Sequence, residues 1–203
     1  MSGFSRFHAL VYDPLMRGAE RRFLGSLRES LLGRARGDTL EIGAGTGLNL
    51  PRYRTPERVV ATEPAAAMVE RLRRRLPEAR VPVEVEEAGA EALPFPDASF
   101  DTVVSTLVLC SVPDPRTVLA EVRRVLAPGG QYLFLEHGGS DDPALARWQR
   151  RLERPWTAIS GGCHLTLDVT KLLPGAGLTL SVLETHEPRR SWPIKPFRLG
   201  VAS

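Results

Sequence analysis

Cysteine and lysine are scarce in this chain. Cys110 and Cys163 are its only cysteines, too few for a disulfide scaffold or a zinc site, so no metal is expected. A single bridge between them has no support in the sequence. Only Lys171 and Lys195 are lysines among 27 basic residues, a bias of coding rather than of chemistry. The net charge is just +3, and no basic patch is interleaved with aromatics, which argues against a nucleic-acid partner. Arg71, Arg73, Arg74 and Arg75 read as the solvated face of a helix. No apolar run approaches the roughly 18 residues of a membrane-spanning helix, and no charged-then-apolar leader opens the chain. Peripheral membrane contact stays open, and a cytoplasmic location is expected. The phosphate-cradling Gly-Lys-Ser/Thr signature is missing too.

What is present is alternation. Strand-like apolar runs at residues 39–42, 59–62, 83–87, 102–107 and 132–135 are separated by helical patterns at 48–54, 65–76 and 117–126. Such alternation gives a parallel sheet with right-handed crossovers, hence a doubly wound α/β fold. Pro64 suits the first turn of the second helix, and Pro128-Gly129-Gly130 stops the third and turns the chain into the fifth strand. An amphipathic segment at 4–32 precedes this core. After it, 143–159 reads as helix and 178–185 and 196–201 as closing strands. The 203 residues suit one domain: a helical cap (1–36), a ligand-binding core (37–137), and an insertion with closing strands (138–203).

Between the first strand and first helix stands Glu41-Ile42-Gly43-Ala44-Gly45-Thr46-Gly47, and Glu63 follows the second strand, eighteen positions beyond Gly45. Glycines admit a ligand to the backbone, and a carboxylate after the next strand accepts hydrogen bonds from ribose hydroxyls. A dinucleotide fingerprint needs a third glycine where Leu48 stands. The pattern therefore favours a different nucleoside-bearing ligand.

From residue 40 to 137 the chain resembles the class I S-adenosylmethionine-dependent methyltransferases. Residues 40–47 look like the family's first motif, 59–63 like the acidic end of its second strand, and 88–100 (AGAEALPFPDASF) like the loop lining the adenine. Residues 102–113 and 126–137 resemble its fourth and fifth strands. The implied fold is a seven-stranded sheet of order 3-2-1-4-5-7-6 with strand seven antiparallel. Tyr12-Asp13-Pro14-Leu15, Leu107-Val108-Leu109-Cys110-Ser111-Val112, Glu136-His137 and Gly162-Cys163 with Leu165-Thr166 look more narrowly like the methyltransferase-like thiol S-methyltransferases. Those are relatives of bacterial phospholipid N-methyltransferases and quinone-type C-methyltransferases. The animal thiol enzymes carry an apolar N-terminal anchor not seen here.

The resemblance implies S-adenosylmethionine as cofactor, S-adenosylhomocysteine as product, and a small, partly hydrophobic acceptor. That acceptor is a thiol first, otherwise N, O or C of a lipid- or metabolite-like molecule. Gly43, Gly45 and Gly47, with Ala44 and Thr46 between them, would let the cofactor's amino-acid end lie on backbone. Glu41 would orient its ammonium, directly or through water. Glu63 would hold the ribose, with Pro64 following it. Met68 and Leu107 would flank the adenine and the methionine arm, with Thr106 beside Leu107. Tyr12 would close over the sulfonium, whose charge favours an aromatic face. Gly89 stands where many relatives place an aspartate, which passes the adenine contact to Ala90 or Glu91.

Candidate proton acceptors are His137, whose residue type titrates near ~6.5, Glu136 beside it, and Asp97 by resemblance to the thiol enzymes. His164 and Asp168 would line the acceptor pocket. Cys110 reads as a small buried hydrophobe. A catalytically silent cofactor-binding partner of another protein is the competing function. Monomer and homodimer are both admitted.

If Glu63 grips the ribose, Glu63→Ala weakens cofactor binding by about tenfold or more in calorimetry. Unchanged affinity removes Glu63 from the site.

Overall fold

The computed structural model describes residues 6–189 and 191–203. Phe4, where the amphipathic segment was expected to begin, lies outside them. Seven strands form one sheet: β1 (Asp38–Ile42), β2 (Arg58–Thr62), β3 (Val83–Glu86), β4 (Phe100–Thr106), β5 (Leu126–His137), β6 (Leu180–His186) and β7 (Phe197–Ala202). Their order is β3-β2-β1-β4-β5-β7-β6. Strands β1 to β5 pair in parallel, while β7 runs antiparallel to both β5 and β6, which is the implied topology.

Both faces of the sheet are covered, and side-chain alternation assigns each residue to one of them. On β4, Val103 joins Leu40, Ile42, Tyr132 and Phe134 under helix α4 (Pro115–Val125), whose Val118, Leu119, Val122 and Val125 are all buried. Its neighbour Val104 faces the other way, onto Leu133, Leu135 and Phe197. That second face is covered by α2 (Gly25–Leu32) through Leu27, Leu31 and Leu32. The chain reaches α2 from α1 (Arg6–Ala19) through a π-helical turn at Glu20–Leu24 without leaving the helical region. The amphipathic N-terminal segment is thus one long helical stretch.

Three local expectations need correction. Residues 48–54 do not form a full helix but a single 3₁₀ turn at Leu50–Arg52. Pro51 lacks an N–H, and Tyr53 is already extended. Pro128-Gly129-Gly130 lies inside β5, because α4 already ends at Val125 and Leu126 pairs with Phe100. Gly129 absorbs the irregularity at a φ of +78°. Helix α4 starts at Pro115, two residues earlier than its apolar pattern suggests. There Asp114 accepts hydrogen bonds from Arg116 N at 3.0 Å and Thr117 Oγ1 at 2.7 Å. Helix α3 (Ala66–Arg74) lies close to its expected span, and α5 (Pro143–Ile159) matches it, capped in the same way by Asp142 on Ala144 N.

β7 lies against β5 so closely that Gly200 has no room for a side chain: a Cβ there would fall inside the buried Phe134 ring. Gly200→Ala should cost about 1–3 kcal/mol, the range for overpacking a tight core, in urea unfolding. A midpoint like that of the parent chain contradicts this packing.

Candidate functional site

Strand order reverses between β1 and β4, and the crevice at the carboxyl ends of such strands is where open α/β sheets take ligands. Three turns meet there: the glycine turn after β1, the 107–112 turn after β4, and the end of β5.

The glycine turn is left-handed at Gly43, Gly45 and Gly47 (φ +60°, +58° and +83°). Side chains at Gly43 and Gly47 would collide with Val108 and with Leu72 and Leu50, so those two are fixed by packing. Gly45 differs, because a Cβ there would meet nothing within 4 Å. Its open side is a cradle beside Glu63. One Glu63 oxygen accepts from Gly45 N at 3.0 Å and the other from Ala65 N at 3.0 Å. Burial raises its pKa against those two bonds. Each oxygen keeps a lone pair for a further donor.

Glu41, at the end of β1, is fully buried and spends both oxygens inside the protein. It accepts from Asn49 Nδ2 at 2.9 Å and from Tyr53 OH at 2.8 Å. Asn49 in turn accepts from Arg28 at 2.9 Å, and Arg28 also donates to Thr106 Oγ1 at 2.7 Å and to Glu20 at 2.9 Å. Glu41 is thereby tied into an internal network reaching helix α2. Thr46 is likewise engaged, donating to Asp13 at 2.6 Å, and Asp13 pairs with Arg75 at 2.7 Å. Helix α1 is thereby pinned across the glycine turn. This brings Tyr12 into the electrostatic neighbourhood of Arg28 and Cys110, and burial raises its phenol pKa.

Met68 and Ala90 are buried, Glu91 is half-buried, and Pro64 is exposed. Leu107 adopts a φ of +60°, a strained state for a leucine. Glu136 holds that turn: its Oε1 accepts from Val108 N (3.0 Å), Leu109 N (3.2 Å) and Ser105 Oγ (3.1 Å). Burial raises the Glu136 pKa against these bonds. This carboxylate positions the turn through its Oε1.

His137, at the end of β5, turns its ring to a sulfur. Its Nε2 lies 3.0 Å from Cys163 Sγ. Trp156 Nε1 approaches the same sulfur at 3.5 Å. The neighbouring Cys110 foremost, with His137 and Trp156 behind it, holds the Cys163 pKa well below the usual thiol value despite partial burial. The neighbouring Cys163 and burial raise the Cys110 pKa.

The other candidates stand apart from this group. Asp97 is 79% exposed and pairs with Arg124 at 2.8 Å. His164 turns its ring to Glu153 at 2.9 Å, although its backbone N–H donates to Cys110 O at 2.6 Å. Asp168 caps a turn through Thr170 and pairs with Arg198 at 3.3 Å. Sequence reasoning gave no role to Asp13, Arg28, Asn49, Tyr53, Arg75 or Cys163. Asp13 and Cys163 were visible in the family-like segments, but their partners lie up to 62 residues away.

S-adenosylmethionine suits this edge. Gly45 leaves an open cradle, and the carboxylate of Glu63, which follows β2, borders it through Gly45 N. Arg28, Arg52 and Arg75 are each paired with Glu20 or Asp13, so they offer little to a diphosphate. Among the described residues no helix is long and apolar enough to cross a membrane.

Comparison with known proteins agrees. A family described as "Methyltransferase domain" matches residues 40–134. The chain is 39% identical over 168 residues to thiol S-methyltransferase TMT1B of Rattus norvegicus, covering 80% of this chain and 69% of that protein. It is 32% identical over 198 residues to thiol S-methyltransferase TMT1A of Homo sapiens, covering 95% and 81%. In fold it is similar to a crystal structure of a SAM-dependent methyltransferase from Aquifex aeolicus, with a TM-score of 0.67, 17% identity and 98% of each chain covered.

Burial pushes Glu41 up to about 7 from an ordinary 4.5, against the Tyr53 and Asn49 bonds and Arg28. Between these values the folded chain keeps a proton that the unfolded chain has lost, so stability falls as pH rises through that window. Glu41→Gln can keep both bonds, with the amide donating to Tyr53 OH, and removes the titration. Relative to the parent, this variant should gain on the order of 3 kcal/mol between pH 4.5 and 8 in denaturant unfolding of the cofactor-free protein. Parallel pH profiles contradict the assignment.

Proposed function

The chain belongs to the class I S-adenosylmethionine-dependent methyltransferases, and we propose that its acceptor is the sulfur of a small, partly apolar thiol. S-adenosylmethionine supplies a methyl group already activated by its sulfonium, and S-adenosylhomocysteine is the product. The protein's tasks are to align the acceptor, exclude water and favour the thiolate. Alignment alone accounts for several kcal/mol of such a barrier.

On this reading the open side of Gly45 receives the cofactor's amino-acid end, and Glu63 accepts from the ribose hydroxyls through its remaining lone pairs. Ala90 and Glu91 meet the adenine, with Met68 and Leu107 flanking it. Asp13, tied to Thr46 and Arg75, holds Tyr12 over the reacting groups. Glu41 acts through Asn49 and Arg28 by fixing the turn and helix that frame the pocket.

The observation that carries the thiol reading is a sulfur already set among donors at this edge. Cys163 Sγ has His137 Nε2 at 3.0 Å and Trp156 Nε1 at 3.5 Å, beside the apolar 107–112 turn. Thiolates are polarisable and weakly hydrated, and a few indole and imidazole donors favour them over the neutral thiol. A free thiol already ionises by a few per cent near neutral pH, so no strong dedicated base is required. The TMT1A and TMT1B relatives, thiol S-methyltransferases by name, support the same element.

The test is a turnover screen that follows S-adenosylhomocysteine with small alkyl and aryl thiols, amines, phenols and phospholipid headgroups. Thiols should turn over at least tenfold faster than their oxygen or nitrogen counterparts. Turnover of amines, phenols or headgroups with thiols inert overturns the reading. So does cofactor binding without turnover of any acceptor, which would favour a silent binding partner.

A further inference from the structure

Cys110, His137 and Cys163 come from three separate segments, yet their ligand atoms all lie within 4.8 Å of one another. We infer that these three side chains form a binding site for one thiophilic, tetrahedrally coordinated metal ion of the zinc class, with its fourth position open. Expecting no metal from two cysteines overlooked a histidine that the fold delivers to them.

Geometry comes first. Zinc–sulfur and zinc–nitrogen bonds of about 2.3 and 2.0–2.1 Å place tetrahedral ligand atoms roughly 3.6–3.8 Å apart. The three observed atoms already lie within 4.8 Å, and His137 Nε2 is 3.0 Å from Cys163 Sγ. Shifts of about an ångström or less in side-chain position complete the triangle.

The backbone holds the three segments together in advance. Glu136 clamps the turn carrying Cys110 through Val108 N and Leu109 N. His164 N donates to Cys110 O at 2.6 Å, which ties the Cys163 loop to that turn. Thr157 Oγ1 and Ser160 Oγ, at the end of α5, donate to Cys163 O at 3.2 and 3.4 Å. After His137, Gly139 N donates to Leu167 O at 2.9 Å, and neither Gly138 nor Gly139 has room for a Cβ against residues 166–167. A site made of distant residues but held on every side meets the usual demand of a metal centre.

Chemistry selects the ion. Two sulfurs and an imidazole are soft ligands that favour zinc-class ions over magnesium or calcium. Two thiolates neutralise a divalent charge, which makes burial of Cys110 and His137 (2% and 6% exposed) inexpensive. His137 turns its Nε2 to Cys163 Sγ, which leaves that nitrogen on the side of the cluster. Cys163 is only half-buried and leaves the cluster accessible to an incoming ion.

The site stands whatever the acceptor is. That a thiolate takes the fourth position, its proton leaving to solvent, rests on the reading of the preceding section.

Titration of the reduced, metal-stripped chain with Co²⁺ tests the proposal. One ion per chain should bind, with sulfur-to-cobalt charge-transfer absorption and the visible bands of tetrahedral cobalt. Cys163→Ser, Cys110→Ser and His137→Ala should each weaken binding by about a hundredfold or more, beyond the 10–100-fold typical of outer-shell changes. Elemental analysis of the unaltered protein, purified without chelators, should give near one zinc-class ion per chain. That reading holds even if a variant fails to fold. No stoichiometric cobalt, affinity indifferent to all three changes, or a mass two daltons low from a Cys110–Cys163 disulfide overturns the site. Adding a methylatable thiol to the cobalt form should intensify the charge-transfer band, and an unchanged spectrum overturns the open position. Thiol turnover by the metal-stripped chain overturns the thiolate at the open position alone, whereas metal binding with inert thiols overturns the acceptor reading alone.

Discussion

Arg28 is the charge around which the cofactor edge is arranged. It is buried on α2, yet it reaches Glu20 on its own helical stretch, Asn49 after the glycine turn and Thr106 at the end of β4. Burying a guanidinium costs several kcal/mol unless every partner is supplied, so these contacts come as a set. Through Asn49 the same network reaches Glu41 and Tyr53. The N-terminal helices, the glycine turn and the switch point between β1 and β4 are therefore held by one continuous polar path. Geometry at the glycine turn depends on it.

Two halves of a site meet across that switch point, and they differ in kind. The half proposed for the cofactor is backbone-lined, with Gly45 offering open space and Glu63 bridging two backbone N–H groups. On the side proposed for the acceptor, sulfur, imidazole and indole lie beside a turn that Glu136 keeps in an unfavourable backbone conformation at Leu107. Strain of that sort persists where surrounding bonds over-determine it, and it commonly marks functional turns. Tyr12, carried by the helix that Asp13 pins in place, sits within electrostatic reach of both halves.

Much of the fold was legible because its signals are local. Strand–helix alternation and the glycine turn sit in contiguous residues, and the family likeness supplied the strand order. Errors fell where local rules competed. Pro51 truncated a helix-like pattern at 48–54, and the Asp114-Pro115 cap began α4 before its apolar residues did. The site was legible only in part. Glu63 and the glycine turn meet at the β1–β4 edge, and Glu41, Thr46 and Glu136 are each engaged by protein partners. Each of those engagements crosses between elements, as Arg75 does to Asp13 and Cys163 does to His137. Pairings over tens of residues leave no periodicity to read.

A crystal structure grown with S-adenosylhomocysteine tests the central claim most directly. The ribose hydroxyls should lie within hydrogen-bond distance of Glu63, with the amino-acid end on the open side of Gly45. The cofactor sulfur should face Cys110, His137 and Cys163 beneath Tyr12. A nucleoside lodged away from the β1–β4 junction, or a thioether turned from that sulfur cluster, would contradict the account.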